Sequence, residues 1–399
     1  MYSRTITVLL DQLRYGGAER ALVYLARGFS EEGYRVDFLI RNERFGAYLS
    51  DLPATVNLRK MPKSHPLALR WHLARHLPQI VQAAPSLAFG LRSLPIGMRS
   101  LPALARYLKE CSPTALLTTL PQNNLLALWA RESAKSNTRV VIREANCLSR
   151  SRELNGRGSK SALLPLAKQW YPAAHKIVAV SQGVADDLAQ SLQINRARIL
   201  TIHNPVDLRR IHDLAQDECP HPWFNDESQP VLVTVGRLNP QKDHRTLLRA
   251  LQLVNQRHPT RLIVVGEGSL GAELKAEAES LGIARQVHWA GLTDNPYAYV
   301  ARAKAFVLSS AWEGLPNVLL EAFACGTPVV STDAAGGGPA ELLQGGRLGK
   351  LVPVADPPML AEAICATLRQ PPDVSLAHRY VQEFSLSRST RAYLSALLN

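Results

Sequence analysis

The sequence predicts an α/β chain built from two doubly wound parallel sheets. Three observations carry that expectation. Strand-length apolar runs alternate with helix-length amphipathic ones, twice over. A polar, Pro-containing stretch separates the two series. The 399 residues exceed one ordinary core and suit two domains of roughly 200 residues each.

In the first series, strand patterns occupy residues 5–10, 34–40, 115–119, 139–143 and 177–180, with helix patterns over 17–32 and 125–135. The second series reads as strands 231–235, 261–265, 287–290, 305–308 and 329–331, alternating with helices 246–257, 270–281, 296–303 and 318–324. Strand–helix alternation of this kind implies parallel strands with helices on both faces. The expected domains are 1–216 and 231–375, joined by a linker at 217–230. Residues 376–399, after Pro371-Pro372, form a last segment that packs back on the first domain. Two Rossmann-like halves with a cleft between them is the architecture this organisation suggests.

Composition narrows the class. Apolar residues make up 46% and charged residues 20%, as in a soluble globular protein. Cys111, Cys147, Cys219, Cys325 and Cys365 are scattered and odd in number, with no C-x-x-C pair. That spacing argues for reduced thiols in a cytosolic setting and against a zinc site. No signal core and no run of about 18 apolar residues is present, so a secreted or membrane-spanning chain is not expected.

The net charge of +13 is uneven: residues 1–200 hold 28 Lys and Arg against 13 acids, whereas residues 201–399 hold 18 against 20. No acidic residue lies between Asp51 and Glu110, a span containing Arg59, Lys60, Lys63, Arg70, Arg75, Arg92, Arg99, Arg106 and Lys109. Leu67, Leu69, Trp71, Leu73 and further apolar residues up to Leu104 interleave with them. The pattern suits the surface of an anionic bilayer. A solvated basic face is the plainer alternative. Nucleic-acid binding is a third, weakened by the lack of any recognisable binding module.

Chemistry concentrates in the second half. Glu313-Gly-Leu-Pro-Asn-Val-Leu-Leu-Glu321 follows a strand and opens a helix, placing backbone N–H groups beside a carboxylate. Helix N-termini favour anions such as a diphosphate. Glu321 lies about two turns beyond Glu313, with Asn317 between them. On spacing alone the segment is equally a surface turn with two solvated glutamates. Gly236-Arg237-Leu238-Asn239-Pro240-Gln241-Lys242-Asp243 follows strand 231–235. There, glycine permits close ligand approach, and two cations five residues apart reach one diphosphate.

Together these segments resemble the Glu-x7-Glu motif and donor-diphosphate loop of the retaining glycosyltransferases of GT-B fold, most closely family GT4. The resemblance covers nearly the whole chain and is densest from Val231 to Glu341. It implies that Arg237 and Lys242 neutralise the leaving nucleoside diphosphate with the N–H groups of Gly314, Leu315 and Asn317, while Glu313 faces the donor sugar. It further implies that Glu321 binds the ribose, and that Gly266 and the segment Leu292-Thr293 lie beside the nucleotide. Gly16 and Gly17, after the first strand, match the loop across from the diphosphate; alone they are a helix-capping turn. Gly336-Gly-Gly-Pro339 fits a loop closing near the site. Ser181-Gln182-Gly183, His203-Asn204-Pro205 and Arg143-Glu144 match further family segments, though Arg143-Glu144 is equally a strand-end charge pair.

One departure stands out. Many members carry a histidine near the donor sugar in the first domain, where this chain reads Thr118-Thr-Leu-Pro121-Gln122-Asn123-Asn124. Asn123 or Asn124 is left to supply hydrogen bonds there, and His203 is a candidate only by proximity.

The sequence therefore leads to a GT4-like retaining transferase, moving a sugar from a nucleotide donor, expected to be UDP-linked. The expected acceptor is a membrane-associated glycan or glycolipid of polysaccharide or lipopolysaccharide synthesis. No Asp-x-Asp triplet is present, and no metal or permanently bound cofactor is expected. The expected partners are the nucleotide-sugar, a lipid-linked or glycan acceptor and an anionic membrane surface, with no nucleic acid. The expected location is cytoplasmic, at the inner face of the membrane. A same-fold transferase with a soluble product and a non-catalytic scaffold are the alternatives.

Overall fold

The structure, a computed structural model, describes residues 4–13, 16–42, 47–76, 96–150, 163–218 and 221–399. Residues 77–95 of the basic segment and Cys219 lie outside the described residues. The chain divides into two compact units, Met1–Pro205 with Leu386–Asn399, and Val206–Ser385.

Strands of the first unit are β1 (Thr5–Leu10), β2 (Arg35–Ile40), β3 (Val56–Lys60), β4 (Ala115–Thr119), β5 (Arg139–Glu144), β6 (Lys176–Ala179) and β7 (Ile199–Thr201). All pair in parallel, in the order β3-β2-β1-β4-β5-β6-β7. The second unit holds β8 (Val231–Val235), β9 (Arg261–Val265), β10 (Val287–Gly291), β11 (Ala305–Leu308), β12 (Val329–Thr332) and β13 (Lys350–Val352). These too are parallel, ordered β10-β9-β8-β11-β12-β13. Each sheet starts in its middle, grows to one edge, then returns to grow toward the other. The winding reverses between β1 and β4, and between β8 and β11. In such sheets the loops leaving the carboxyl ends of the two strands at the reversal separate and leave room for a ligand.

Both sheets follow from the sequence pattern. Central strands such as Ala115-Leu-Leu-Thr-Thr119 are buried throughout, because helices cover both faces. Strand β3 is different. Val56 is buried while the rest of the strand is partly or fully exposed, as suits a sheet edge. Its Arg59 and Lys60 belong to what reads in the sequence as a basic insert. They sit on an edge strand, where cations discourage pairing with another chain. Arg59 also lies 3.6 Å from the buried Asp37 carboxylate.

The C-terminal helix Leu386–Leu398 completes the first unit. Its Tyr393, Leu394, Ala396 and Leu397 join the core formed by β1, β2 and the helix Gly17–Glu31. Gly28 makes the helix–helix approach possible: a Cβ there would stand 2.1 Å from Thr390 Oγ1 and 3.1 Å from Thr390 Cβ. Tyr393 Oη accepts from Nε of the fully buried Arg143, at 3.1 Å. The same guanidinium donates to Thr119 Oγ1 (2.9 Å) and to Asn204 Oδ1.

In the second unit, the helices His244–Asn255 and Pro357–Arg369 pack together on the sheet. The helix Leu208–Ala215 belongs here as well, since Asn295 Nδ2 donates to Leu214 O at 2.8 Å and Arg302 to Ala215 O at 3.2 Å. The stretch 221–230 likewise lies within this unit: Asp226 pairs with Arg261 at the start of β9. The first and last residues of the unit are neighbours: Val206 N donates to Phe384 O at 2.8 Å. Among the described residues, no helix is long and apolar enough to cross a membrane.

Helix propensity alone predicts that Gly28→Ala stabilises the first unit by about 1 kcal/mol. The clash wins, because Thr390 is short, β-branched and buried on the opposing helix. Gly28→Ala is expected to lower stability by about 1–3 kcal/mol in urea denaturation, and added Thr390→Ala to restore part of the loss.

Candidate active site

The loops leaving β8 and β11 flank the point where the second sheet reverses. After β8 the chain makes two successive caps. Asn239 Oδ1 accepts from Lys242 N (3.2 Å), closing one short turn. Asp243, in the left-handed region at φ 42°, then caps the helix His244–Asn255 by accepting from Thr246 N and Thr246 Oγ1. Lys242 is thereby set between two side-chain caps.

Four hydrogen bonds stitch this loop to the end of β11. Ser309 Oγ donates to Lys242 O (2.9 Å), Ala311 N to Gln241 O (2.9 Å), and Gln241 Nε2 to Trp312 O (3.1 Å). The fourth is charged: Lys242 Nζ lies 2.5 Å from Glu313 Oε1, and Ser310 Oγ donates to that oxygen at 2.8 Å. The Glu313 side chain is 7% exposed and that of Lys242 15%. Removing one member of so buried a pair strands the other charge, at about 3–5 kcal/mol. An ammonium has three donors, and the Glu313 contact uses one.

Arg237 differs from Lys242. It is exposed, and none of the described side chains engages its guanidinium. The loop therefore presents one cation locked to a carboxylate and one cation held out to solvent.

The helix Asn317–Ala324 starts immediately after Glu313-Gly-Leu-Pro316, one residue earlier than its pattern suggests. Its N-cap is Pro316, which offers no side-chain acceptor to the first turn. Glu321 lies on this helix and is buried at 6% exposure. Gly314 and Leu315 are buried beneath the loop 336–338: Glu313 N donates to Ala335 O (2.9 Å), and a Cβ on Gly338 would strike Gly314 O at 2.4 Å.

Glycines set the spacing of the remaining loops. Gly266, after β9, has φ 136°, and a Cβ there would meet Gly236 O at 2.1 Å. Its N–H donates to Gly291 O at 2.7 Å, so the ends of β8, β9 and β10 touch through backbone alone. Leu292, next along, is half exposed, and Thr293 Oγ1 accepts from Asn295 N. The structure thus joins Gly236, Lys242, Gly266, Glu313 and Gly314 through direct contacts. His244, beside Lys242, is buried, and burial followed by the Lys242 charge pulls its imidazole down to about 4, leaving it neutral.

The first unit has its own polar cluster at the carboxyl ends of β4 and β5. Arg143 and Glu144 are not a charge pair there; adjacent strand residues face opposite sides. Arg143 is held as described above. Glu144 accepts from Asn124 Nδ2 (2.7 Å) and from the Tyr171 hydroxyl, and burial raises its carboxyl to about 7. Asn123 and Asn124 are both buried, with Nδ2 of Asn123 donating to Thr119 O and Nδ2 of Asn124 also reaching Arg143 O and Tyr171 Oη. Their amides shape the interior of this unit. Gly16 is the N-cap of the helix Gly17–Glu31, and Ser181 caps the helix Gln182–Leu192 by accepting from Val184 N.

Ser310 and Tyr171 escape the sequence reading. Ser310 is visible as a small polar residue at the strand end, but nothing in the pattern marks it as a donor to Glu313. Tyr171 meets Glu144 across 27 residues, a contact no local pattern encodes. Among the described residues, no group of three or more His, Cys, Asp or Glu is placed to hold a metal ion.

Glu144 makes stability pH-dependent with a definite sign. Its carboxyl titrates near 7 when folded, against an ordinary 4.5, so the folded chain holds a proton that the unfolded chain releases between those values. Stability from this group is complete below about 4.5 and is lost as pH rises through 7. Comparing denaturation of wild type and Glu144→Gln, the variant is expected to gain about 2–3 kcal/mol on wild type between pH 5 and pH 8.

Comparison with known proteins gives the family. A family model described as Glycosyltransferase Family 4 matches residues 15–210, and one described as Glycosyl transferases group 1 matches residues 229–370. The N-acetylgalactosamine-N,N'-diacetylbacillosaminyl-diphospho-undecaprenol 4-alpha-N-acetylgalactosaminyltransferase of Campylobacter jejuni is 33% identical over 62% of this chain and 66% of its own length. The lipopolysaccharide core biosynthesis glycosyltransferase LpsE of Rhizobium meliloti is 34% identical over 42% of this chain and 49% of its own. The chain thus spans from about a fifth to just under two thirds of the length of the curated relatives it matches. Among solved structures, Anabaena HepE in complex with UDP and glucose superposes with a TM-score of 0.76 at 20% identity, covering 99% of both chains. WaaG, a glycosyltransferase involved in lipopolysaccharide biosynthesis, gives 0.70 at 18%, covering 98% of this chain and 99% of its own. Two parallel sheets wound in the same order and these matches place the chain in the GT4-type glycosyltransferases of GT-B fold.

Proposed function

We propose that the chain transfers a sugar from a nucleotide donor, a UDP-sugar, to a membrane-associated glycan or glycolipid in cell-surface polysaccharide or lipopolysaccharide biosynthesis. The observation that carries the reading is the exposed, unengaged Arg237 five residues from the Lys242–Glu313 pair. A cation that no described side chain engages, in a loop whose other cation is locked in place, is suited to an anionic ligand.

In this reading Arg237 and the remaining Lys242 donors take the diphosphate with the N–H groups opening the helix Asn317–Ala324. Charge that builds on the departing phosphate is met by two side-chain cations, so the reaction proceeds without a divalent ion. Glu313, fixed by Lys242 and Ser310, presents its carboxylate to the donor sugar and eases positive charge at the anomeric carbon. Glu321 accepts from the ribose hydroxyls, and the backbone at Leu292–Thr293 holds the base. Attack from the face the diphosphate leaves, with the leaving phosphate taking the acceptor's proton, retains the anomeric configuration.

The donor reading draws support from HepE, whose structure holds UDP and glucose. The acceptor reading draws it from the Campylobacter relative, whose name specifies a diphospho-undecaprenol substrate, and from LpsE, named for lipopolysaccharide core biosynthesis. In this reading the enzyme works at the cytoplasmic face of the membrane.

Thermal-shift titration with a panel of nucleoside diphosphates tests the donor site. UDP is expected to stabilise the protein saturably, by about 2.7 kcal/mol at a hundredfold excess over Kd. Arg237→Ala is the informative variant, because Lys242→Ala also strands Glu313 in the interior. Losing one or two charge-assisted hydrogen bonds of about 1.5–3 kcal/mol each is expected to weaken UDP at least tenfold, with the ligand-free melting point unchanged. Stabilisation by no nucleoside diphosphate would sink the donor reading. Sugar transfer from a UDP-sugar is expected to survive EDTA; loss of turnover, restored by a divalent ion, would overturn the metal-independent route.

A further inference from the structure

We propose that the helix Pro66–His76 is the element by which the first unit docks on an anionic lipid surface, with Leu67 and Trp71 entering the headgroup–acyl boundary. The inference rests on the membrane-associated acceptor and assigns that association to named residues.

The helix has two unlike faces. Leu69 and Leu73, one turn apart, are buried at 0% and 1% exposure, and His72 Nε2 bonds Ser133 Oγ at 2.9 Å. These contacts anchor it to the unit. Leu67 and Trp71, also one turn apart, are 64% and 62% exposed, the two most exposed large apolar side chains among the described residues. Isolated exposed apolar residues need no explanation. A leucine and a tryptophan aligned on the outer face of a helix anchored from behind are a different arrangement.

The charges around that face identify its occupant. Arg75 lies over the Trp71 ring at 4.9 Å from its centroid. Arg70 is on the same helix. Arg99 Nε donates to Ser64 O at 3.0 Å and Ser64 N to Arg99 O at 2.7 Å, which holds a further arginine at the start of the helix. The segment from Asp51 to Glu110 contributes no carboxylate between those two residues. A surface of this sign repels cationic partners and attracts phosphates. Leu67 has no use in stacking on nucleic-acid bases, whereas leucine and tryptophan both partition to the bilayer interface beside arginine and lysine. An anionic bilayer supplies phosphates and an apolar layer within one side chain's depth of each other.

Co-sedimentation of the full chain with vesicles tests this. Wild type is expected to bind phosphatidylglycerol-containing vesicles, to be released by salt, and to ignore pure phosphatidylcholine. The double variant Leu67→Ser/Trp71→Ser keeps every charge and is expected to bind at least about tenfold more weakly. Its UDP-induced thermal shift should match wild type, since both side chains are exposed and lie outside the second unit. Undiminished binding by the variant would overturn the assignment to this helix. Failure of wild type to bind any vesicle, with the UDP shift intact, would overturn the docking while leaving the donor site standing. A concentration-dependent dimer abolished by the variant, without vesicle binding, would reassign the face to a second copy of the chain.

Discussion

The ion pair between Lys242 and Glu313 spans the place where the second sheet changes direction. Strands β8 and β11 are neighbours in space, yet 71 residues separate these two side chains in the chain. Loops that would otherwise part are tied there by one charged contact and three neutral hydrogen bonds. The tie sets the position of Glu313, and the backbone following Glu313 begins the helix that carries Glu321. The loop at 335–338 packs on that backbone, so its placement depends on the same contact. Lys242 thus has a structural task in tying the two loops together, while the exposed Arg237 has no such task among the described residues.

Much of this was legible in the residues. Parallel α/β architecture followed from buried apolar runs alternating with amphipathic ones. The Gly236–Asp243 and Glu313–Glu321 segments stood out because glycine, cations and carboxylates at strand ends have few purely structural uses together. What stayed hidden was of two kinds. Short edge strands such as β3 and β7 carry too little apolar periodicity to separate from loops, and β3 was masked by its own lysine and arginine. Long-range polar pairing was the other: Asn124 and Glu144 meet only after β4 and β5 are aligned. Read from sequence, the two asparagines looked available to a ligand; in the fold their amide nitrogens bind the protein itself.

The two units use buried polarity differently. The second spends its buried charges on loops at the sheet reversal. The first encloses Arg143 among hydroxyl and amide oxygens, and Glu144 among an amide and a phenol. These bonds tie the ends of β4 and β5 to neighbouring elements, with Oδ1 of Asn123 and Asn124 and the Thr118 hydroxyl left buried without a hydrogen-bond partner. The carboxyl ends of β4 and β5 are stiffened in this way, so loops leaving those strands start from fixed points.

The Arg143–Tyr393 contact has a consequence for biosynthesis. Domains emerging from the ribosome generally fold in the order in which they are made. Here the first unit lacks Tyr393, Leu394 and Leu397 until residue 398 has been polymerised, whereas the second unit has every one of its residues by Ser385. Until then Arg143 has no phenol to donate to, and the groove beside Gly28 is open. The unit that begins first is therefore the one that finishes last, and the nascent chain carries an uncovered apolar groove throughout translation of the unit between.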